Sequence, residues 1–158
     1  MELSQQHLFD LSGKVALITG AGANGGIGHA LALGFSQAGA EVIAADIDAA
    51  GAATTVQEIA EQGGRAAAFT CDIANATAVE ALYAWIDQQY GRIDILVNVP
   101  YIFPSRVRPH ELKLQDWQRT LDVNLTGYFL CSQAAIRRMM AQGGGSIVNF
   151  SSIAGVSA

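Results

Sequence analysis

The chain has 158 residues, enough for one domain with a proper core but not for two of ordinary size. It is 51% hydrophobic and 15% charged with a formal charge of −5, which excludes a disordered chain and leaves no basic footprint for nucleic acid. No stretch offers the roughly 18–20 uninterrupted apolar residues of a membrane span. Residues 1–12 lack both the basic start and the apolar centre of a secretion signal, so a cytosolic protein is expected.

Taken in chain order, Lys14–Thr19 (KVALIT) reads as a buried strand, apolar almost throughout. It runs into TGAGANGGIGHA, where Gly20-x-Gly22-x-x-Gly25 and Gly22-x3-Gly26-x-Gly28 give two overlapping glycine spacings. Glycines permit a tight turn and let backbone approach a pyrophosphate at a helix N-terminus. A plain glycine turn is the alternative reading. The strand before, the helix His29–Ala38 after, and the acid ending the next strand favour a dinucleotide cradle. That next strand is Glu41–Ala45, and the acid is Asp46. A carboxylate there accepts hydrogen bonds from both adenosine ribose hydroxyls and repels a 2′-phosphate, so NAD is expected over NADP. Asp48 is expected to cap the helix Asp48–Gln62.

Arg65–Thr70 is the third strand, Asn75–Tyr90 the third helix and Ile93–Val97 the fourth strand. The loop that follows holds all three prolines, Pro100, Pro104 and Pro109. Asp116–Ala141 reads as a long helix, with Arg137-Arg138 near its C-terminus, where cations suit the macrodipole. Ser146–Phe150 is the fifth strand and breaks into Ser151-Ser152. Gly39, Gly63-Gly64, Gly91 and Gly143–Gly145 stand where helix stop signals belong. Strand and helix alternating in this way predict an α/β doubly wound parallel sheet of Rossmann type in three α/β/α layers. Cys71 and Cys131 fit no metal spacing and are expected as buried, reduced thiols. Trp85 and Trp117 are expected to pack helices. His7, His29 and His110 are expected at surface or helix-start positions, without a metal.

With these residues placed, the chain resembles the short-chain dehydrogenase/reductase family over nearly its whole length. The resemblance is carried by LSGKVALITGAG…GGIG, by Cys71-Asp72-Ile73, by Asn98, by Leu121-Asp-Val-Asn124-Leu-Thr-Gly127 and by Gly145-Ser-Ile-Val-Asn-Phe-Ser-Ser152. It implies strand order 3-2-1-4-5 and hydride transfer between a nicotinamide and an alcohol or carbonyl substrate. It further implies cofactor contacts from Gly20, Gly22, Gly26, Ile27, Gly28, Asp46, Asp72, Ile73 and Asn98. Ser152 is implied as the catalytic serine that bonds the substrate oxygen, and Asn124 as the relay asparagine. Asn124 on its own also reads as a helix irregularity, because asparagine is a poor mid-helix residue.

Three departures from the family pattern stand out. The glycine loop is two residues longer, with the best glycine spacing beginning at Gly22 rather than at Gly20 after Thr19. Asn-Asn-Ala-Gly is replaced by Asn98-Val99-Pro100-Tyr101, which predicts a shifted turn or weaker NAD binding, with the Tyr101 ring placed where the family has no side chain. None of the four tyrosines, at 83, 90, 101 and 128, has a lysine four residues on, so the family's proton-transfer pair falls past Ala158. The expectation is a single dinucleotide-binding domain over residues 1–158, truncated on its C-terminal side. Its fifth strand would be an apolar edge open to a partner chain. The leading function is an NAD-dependent short-chain oxidoreductase with an apolar substrate and a homo-oligomeric assembly. The alternatives are a non-catalytic NAD-binding or interaction module and an inactive fragment.

Overall fold

Five parallel strands form a sheet in the order β3-β2-β1-β4-β5: β1 Val15–Thr19, β2 Glu41–Asp46, β3 Ala66–Thr70, β4 Ile95–Asn98 and β5 Ser146–Asn149. The structure is a computed structural model that describes residues 9–22, 25–103 and 107–153; His7 and Pro104 lie outside them. The helices are α1 Ile27–Gln37, α2 Ala49–Glu61, α3 Ala76–Gln89, α4 Leu114–Leu121 and α5 Tyr128–Gln142, with a 3-10 turn at Pro109–Glu111.

The strands alternate between two cores with the period of two that a pleated sheet imposes. Val15, Leu17, Ile43, Ala45 and Leu96 face one side, where Leu82, Tyr83 and Ile86 of α3 and Cys131, Ala135 and Met139 of α5 cover them. Ile18, Val42, Ala44 and Val97 face the other, beneath Ala32 of α1 and Ile59 of α2. Register sets Leu17 beside both Ile43 and Leu96, and Leu96 beside Ile147, so one apolar row crosses four strands. Leu17, Ile18 and Ile43 are fully buried, each contributing about 1.5–3 kcal/mol relative to exposure. The expected three-layer architecture and strand order are therefore present.

The helix ends follow the expected chemistry. Ala50 N donates to Asp48 Oδ1 at 3.1 Å and Ala78 N to Asn75 Oδ1 at 3.2 Å. At the foot of the sheet Asp94, 7% exposed, accepts from Val15 N at 3.0 Å and from Arg92 Nε at 2.9 Å, with Lys14 Nζ at 3.7 Å. Burial alone would raise its carboxyl, but the Arg92 and Val15 hydrogen bonds and the Arg92 and Lys14 charges outweigh burial and hold it below the usual range.

Several expectations change. The long helix starts at Leu114, two residues early, and is broken by a π-helical stretch, Asp122–Gly127. Trp85 packs as expected, 5.3 Å from Phe69 and 5.7 Å from Tyr90 between ring centroids. Trp117 is 51% exposed, on the polar-rich first segment of that helix, and is not part of either core. The helix ends at Gln142, one residue past the expected end, with no basic residue in its last turn. Instead Arg138 Nε donates to Asp87 Oδ1 at 2.7 Å, and its guanidinium lies 4.9 Å from the Tyr83 ring centroid. Both cysteines are free and buried. Burial pushes Cys71 up to about 11, with Asp72 adding, and Cys131 up to about 12, with Cys71 adding. β5 is the outer strand, with Val148 43% and Phe150 37% exposed.

Candidate active site at the switch between β1 and β4

Strand order reverses between β1 and β4, and in open α/β sheets a crevice opens at the carboxyl ends of such a pair. Here the glycine loop leaves β1 and the Asn98 loop leaves β4. Thr19, fully buried at the end of β1, donates from Oγ1 to Asn98 Oδ1 at 3.1 Å and stands directly before the loop. Gly20 follows with φ +75, a conformation that favours glycine. A Cβ on Gly28 would lie 2.1 Å from the Gly20 carbonyl oxygen, so α1 can begin this close to β1 only with glycine there. Gly26 caps α1.

A cleft of about 500 Å³ lies over this loop. Among its walls are Gly20, Gly26, Ile27, Gly28, Asp46, Asp72 and Ile73 of the sequence-predicted residues. Two others sit apart from it. Gly22 N donates to Asp46 Oδ2 at 2.8 Å, so this amide is turned onto the acid. Asn98, fully buried, lies behind the cleft: Nδ2 donates to Asn149 Oδ1 at 2.8 Å and to Ser132 Oγ at 3.3 Å. Asp46 Oδ1 accepts from Asp48 N at 2.9 Å, which leaves both oxygens with backbone partners and spare lone pairs. Asp72 Oδ1 accepts from Ala74 N at 3.0 Å and Oδ2 from Arg119 Nη2 at 2.9 Å.

A second opening, about 670 Å³, shares Ile27, Val99, Pro100 and Tyr101 with the first. It brings Asn124 and Ser152 together, with Phe103, Tyr128, Phe150 and Ser151 around them. Asn124 lies in the π stretch and grips one residue of the opposite loop in both directions. Its Nδ2 donates to Ile102 O, and Ile102 N donates to its Oδ1, each at 2.9 Å. The helix irregularity and Asn124 coincide, and π stretches of this kind are frequent at functional sites. Burial pushes the Tyr128 phenol up to about 12, with Cys131 adding.

The substituted turn is also visible. The Pro100 ring packs on Gly20, where a Cβ would meet Pro100 N at 2.9 Å and its Cγ at 3.0 Å. Tyr101 is 73% exposed, so its ring stands at the rim of both openings instead of filling the turn. Sequence reasoning missed Arg119, Val123 and Tyr128 as lining residues and missed the burial of His29, which is 7% exposed. The Arg119–Asp72 contact spans 47 residues and has no periodic signal. Among the described residues no His/Cys/Asp/Glu group could hold a metal ion, and no helix is long and apolar enough to cross a membrane.

Comparison with known proteins agrees with this geometry. D-threitol dehydrogenase of Mycolicibacterium smegmatis is 44% identical over 152 residues, covering 96% of this chain and 57% of that protein. A 7α-hydroxysteroid dehydrogenase solved with NADH and 7-oxo glycochenodeoxycholic acid superposes with a TM-score of 0.90 at 35% identity, covering 99% of this chain and 60% of that one. A metagenomic short-chain oxidoreductase solved with NADP gives 0.89 at 33% identity, covering 94% and 66%. The chain thus spans less than two thirds of the length of these relatives. Residues 14–158 match the family described as short chain dehydrogenase, and the chain belongs to that family.

Proposed function

We propose that this chain is the dinucleotide-holding part of an NAD(H)-dependent oxidoreductase acting on an alcohol or carbonyl substrate. The observation that carries the choice of NAD is Asp46, held at the end of β2 in the cleft wall by two backbone amides. Among the described residues no lysine or arginine pairs with it, and the one cation on the cleft wall, Arg119, is engaged by Asp72. A 2′-phosphate would therefore meet an uncompensated carboxylate.

The residues present fit such a cofactor. Gly20, Gly26, Ile27 and Gly28 line the cleft at the N-terminus of α1, with no room for a side chain at Gly20 or Gly28, and backbone N–H groups there favour a pyrophosphate. Gly22 would serve by holding Asp46, and Asp46 would take the adenosine ribose. Asp72 and Ile73 would flank the adenine, and Asn98 would brace the floor from behind. A bound nicotinamide supplies or accepts the hydride. Ser152 would then donate to the substrate oxygen, and Asn124 would fix the loop that walls the substrate side. Tyr101, Phe103, Tyr128 and Phe150 favour an apolar substrate. We place the protein in the cytosol as one dinucleotide-binding unit over residues 1–158, pairing with a further chain through β5 or the α5 face.

A second reading is a module that binds dinucleotide without turnover. Calorimetry with NAD⁺ and NADP⁺ tests the leading assignment. Tighter binding of NAD⁺ is expected, and tighter binding of NADP⁺ would overturn it. Cofactor turnover over a panel of apolar alcohols separates the oxidoreductase from the module.

A further inference from the structure

His29, in the first turn of α1, is 7% exposed and touches two residues of α2. Its Nε2 lies 3.1 Å from Glu58 Oε2, and its Nδ1 lies 3.0 Å from Thr55 Oγ1. Thr55 Oγ1 in turn lies 2.6 Å from the Ala21 carbonyl and 3.2 Å from the Gly51 carbonyl. An acid, an imidazole and a hydroxyl in a row have the layout of an activated nucleophile. Thr55, however, has no exposed surface, and its hydroxyl points at backbone, so no substrate can reach it. The row acts on the protein's own glycine loop.

Ala21 has no exposed surface, and among the described residues the Thr55 hydroxyl is the donor recorded for its carbonyl. The same face of α2 presses the loop one residue on, since a Cβ on Gly51 would lie 2.0 Å from the Gly22 carbonyl oxygen. Gly22 N is the amide that holds Asp46. One backbone segment, Ala21–Gly22, is therefore fixed by Thr55 and Gly51 on its carbonyls and by Asp46 on its amide.

We propose that His29 and Thr55 are positioning residues for the dinucleotide, setting the glycine loop through the Ala21 carbonyl; this rests on the cofactor reading above. A threonine hydroxyl has one proton. With that proton on Ala21 O, the Thr55 oxygen offers His29 Nδ1 only a lone pair, and Glu58 offers Nε2 only a carboxylate. An Nδ1–H donating to that lone pair keeps the hydroxyl proton on Ala21 O, and the Glu58 carboxylate beside Nε2 orients the ring.

The test is NADH affinity by fluorescence, with thermal midpoints and loop amide chemical shifts of the unliganded chain. Thr55→Val is expected to weaken NADH about tenfold and to shift the Ala21 and Gly22 amides, whereas Thr55→Ser restores both. His29→Leu, which removes the ring nitrogen beside Thr55, is expected to shift the same amides and to weaken NADH in the same direction. Unchanged affinity in Thr55→Val, no rescue by Thr55→Ser at an equal midpoint, or unmoved Ala21 and Gly22 amides in His29→Leu overturns the proposal. If Thr55→Val fails to fold, His29→Leu decides alone. A parent chain that binds no NADH overturns the cofactor reading as well, and the amide shifts then show whether the relay itself exists.

Discussion

All five residues of β1 are buried, with a strand on each side and a helical layer over each face, whereas three of the four residues of β5 are exposed. Both strands are short, apolar and parallel to β4. What separates them is what surrounds them: β1 runs into Gly20–Gly22, whose amides meet Ala45 and Asp46 and whose Ala21 carbonyl meets Thr55, and β5 ends at a cleft rim with one strand neighbour. β3, the opposite edge, exposes little apolar surface because Ala66, Ala67 and Ala68 are small and Phe69 lies against Trp85. An edge built of alanines tolerates water; one carrying Val148 and Phe150 offers apolar surface to another chain.

If this contrast holds, equal-sized changes should be costly near β1 and mild at β5. The largest effect is expected from Gly28→Ala, whose methyl would collide with the Gly20 carbonyl. About 2–3 kcal/mol of stability should go, with loss of dinucleotide binding, read by thermal melts and calorimetry. A variant with the parent's midpoint and affinity would mean that the loop is looser than its geometry. Asp94→Asn comes next, at about 1–3 kcal/mol, because it weakens the anchor of Val15 and strands Arg92. The Asp94 carboxyl is held below its unfolded range, so its contribution is present above that range and lost as pH falls through the folded value. The gap between parent and variant midpoints should therefore be full near pH 7 and close below about pH 4. A constant gap would show that the charge is not the cause. The smallest effect on stability belongs to Val148→Lys, within about 0.5 kcal/mol, with a larger monomer fraction by size-exclusion chromatography. An unchanged elution profile would remove β5 as an association surface.

The sheet was legible because its strands are buried on both faces and so are continuous apolar runs, and because Asp48 and Asn75 announce their helices chemically. The glycine loop and Asp46 were legible for the same local reason. What could not be read crosses elements without periodicity. His29 meets Thr55 across 26 residues, and Arg119 meets Asp72 across 47. Asn98 was read as a cofactor contact from its motif, yet its side chain is turned inward to Thr19, Ser132 and Asn149. Trp117 looked like packing because tryptophan usually packs, but α4 has no buried residue at all.

The π stretch Asp122–Gly127 has one more consequence, for phase. Arg119 and Tyr128 stand nine positions apart, about two and a half turns of an ordinary α-helix, which would put them on opposite sides of the rod. The wider turn between them winds the chain back, so that both sides of the break look into the linked openings. Gly127, against whose missing Cβ the Ile73 side chain is packed, keeps the widened turn close to the sheet. A single helical rod thereby lines both openings, and its rotational setting is fixed by six residues in its middle.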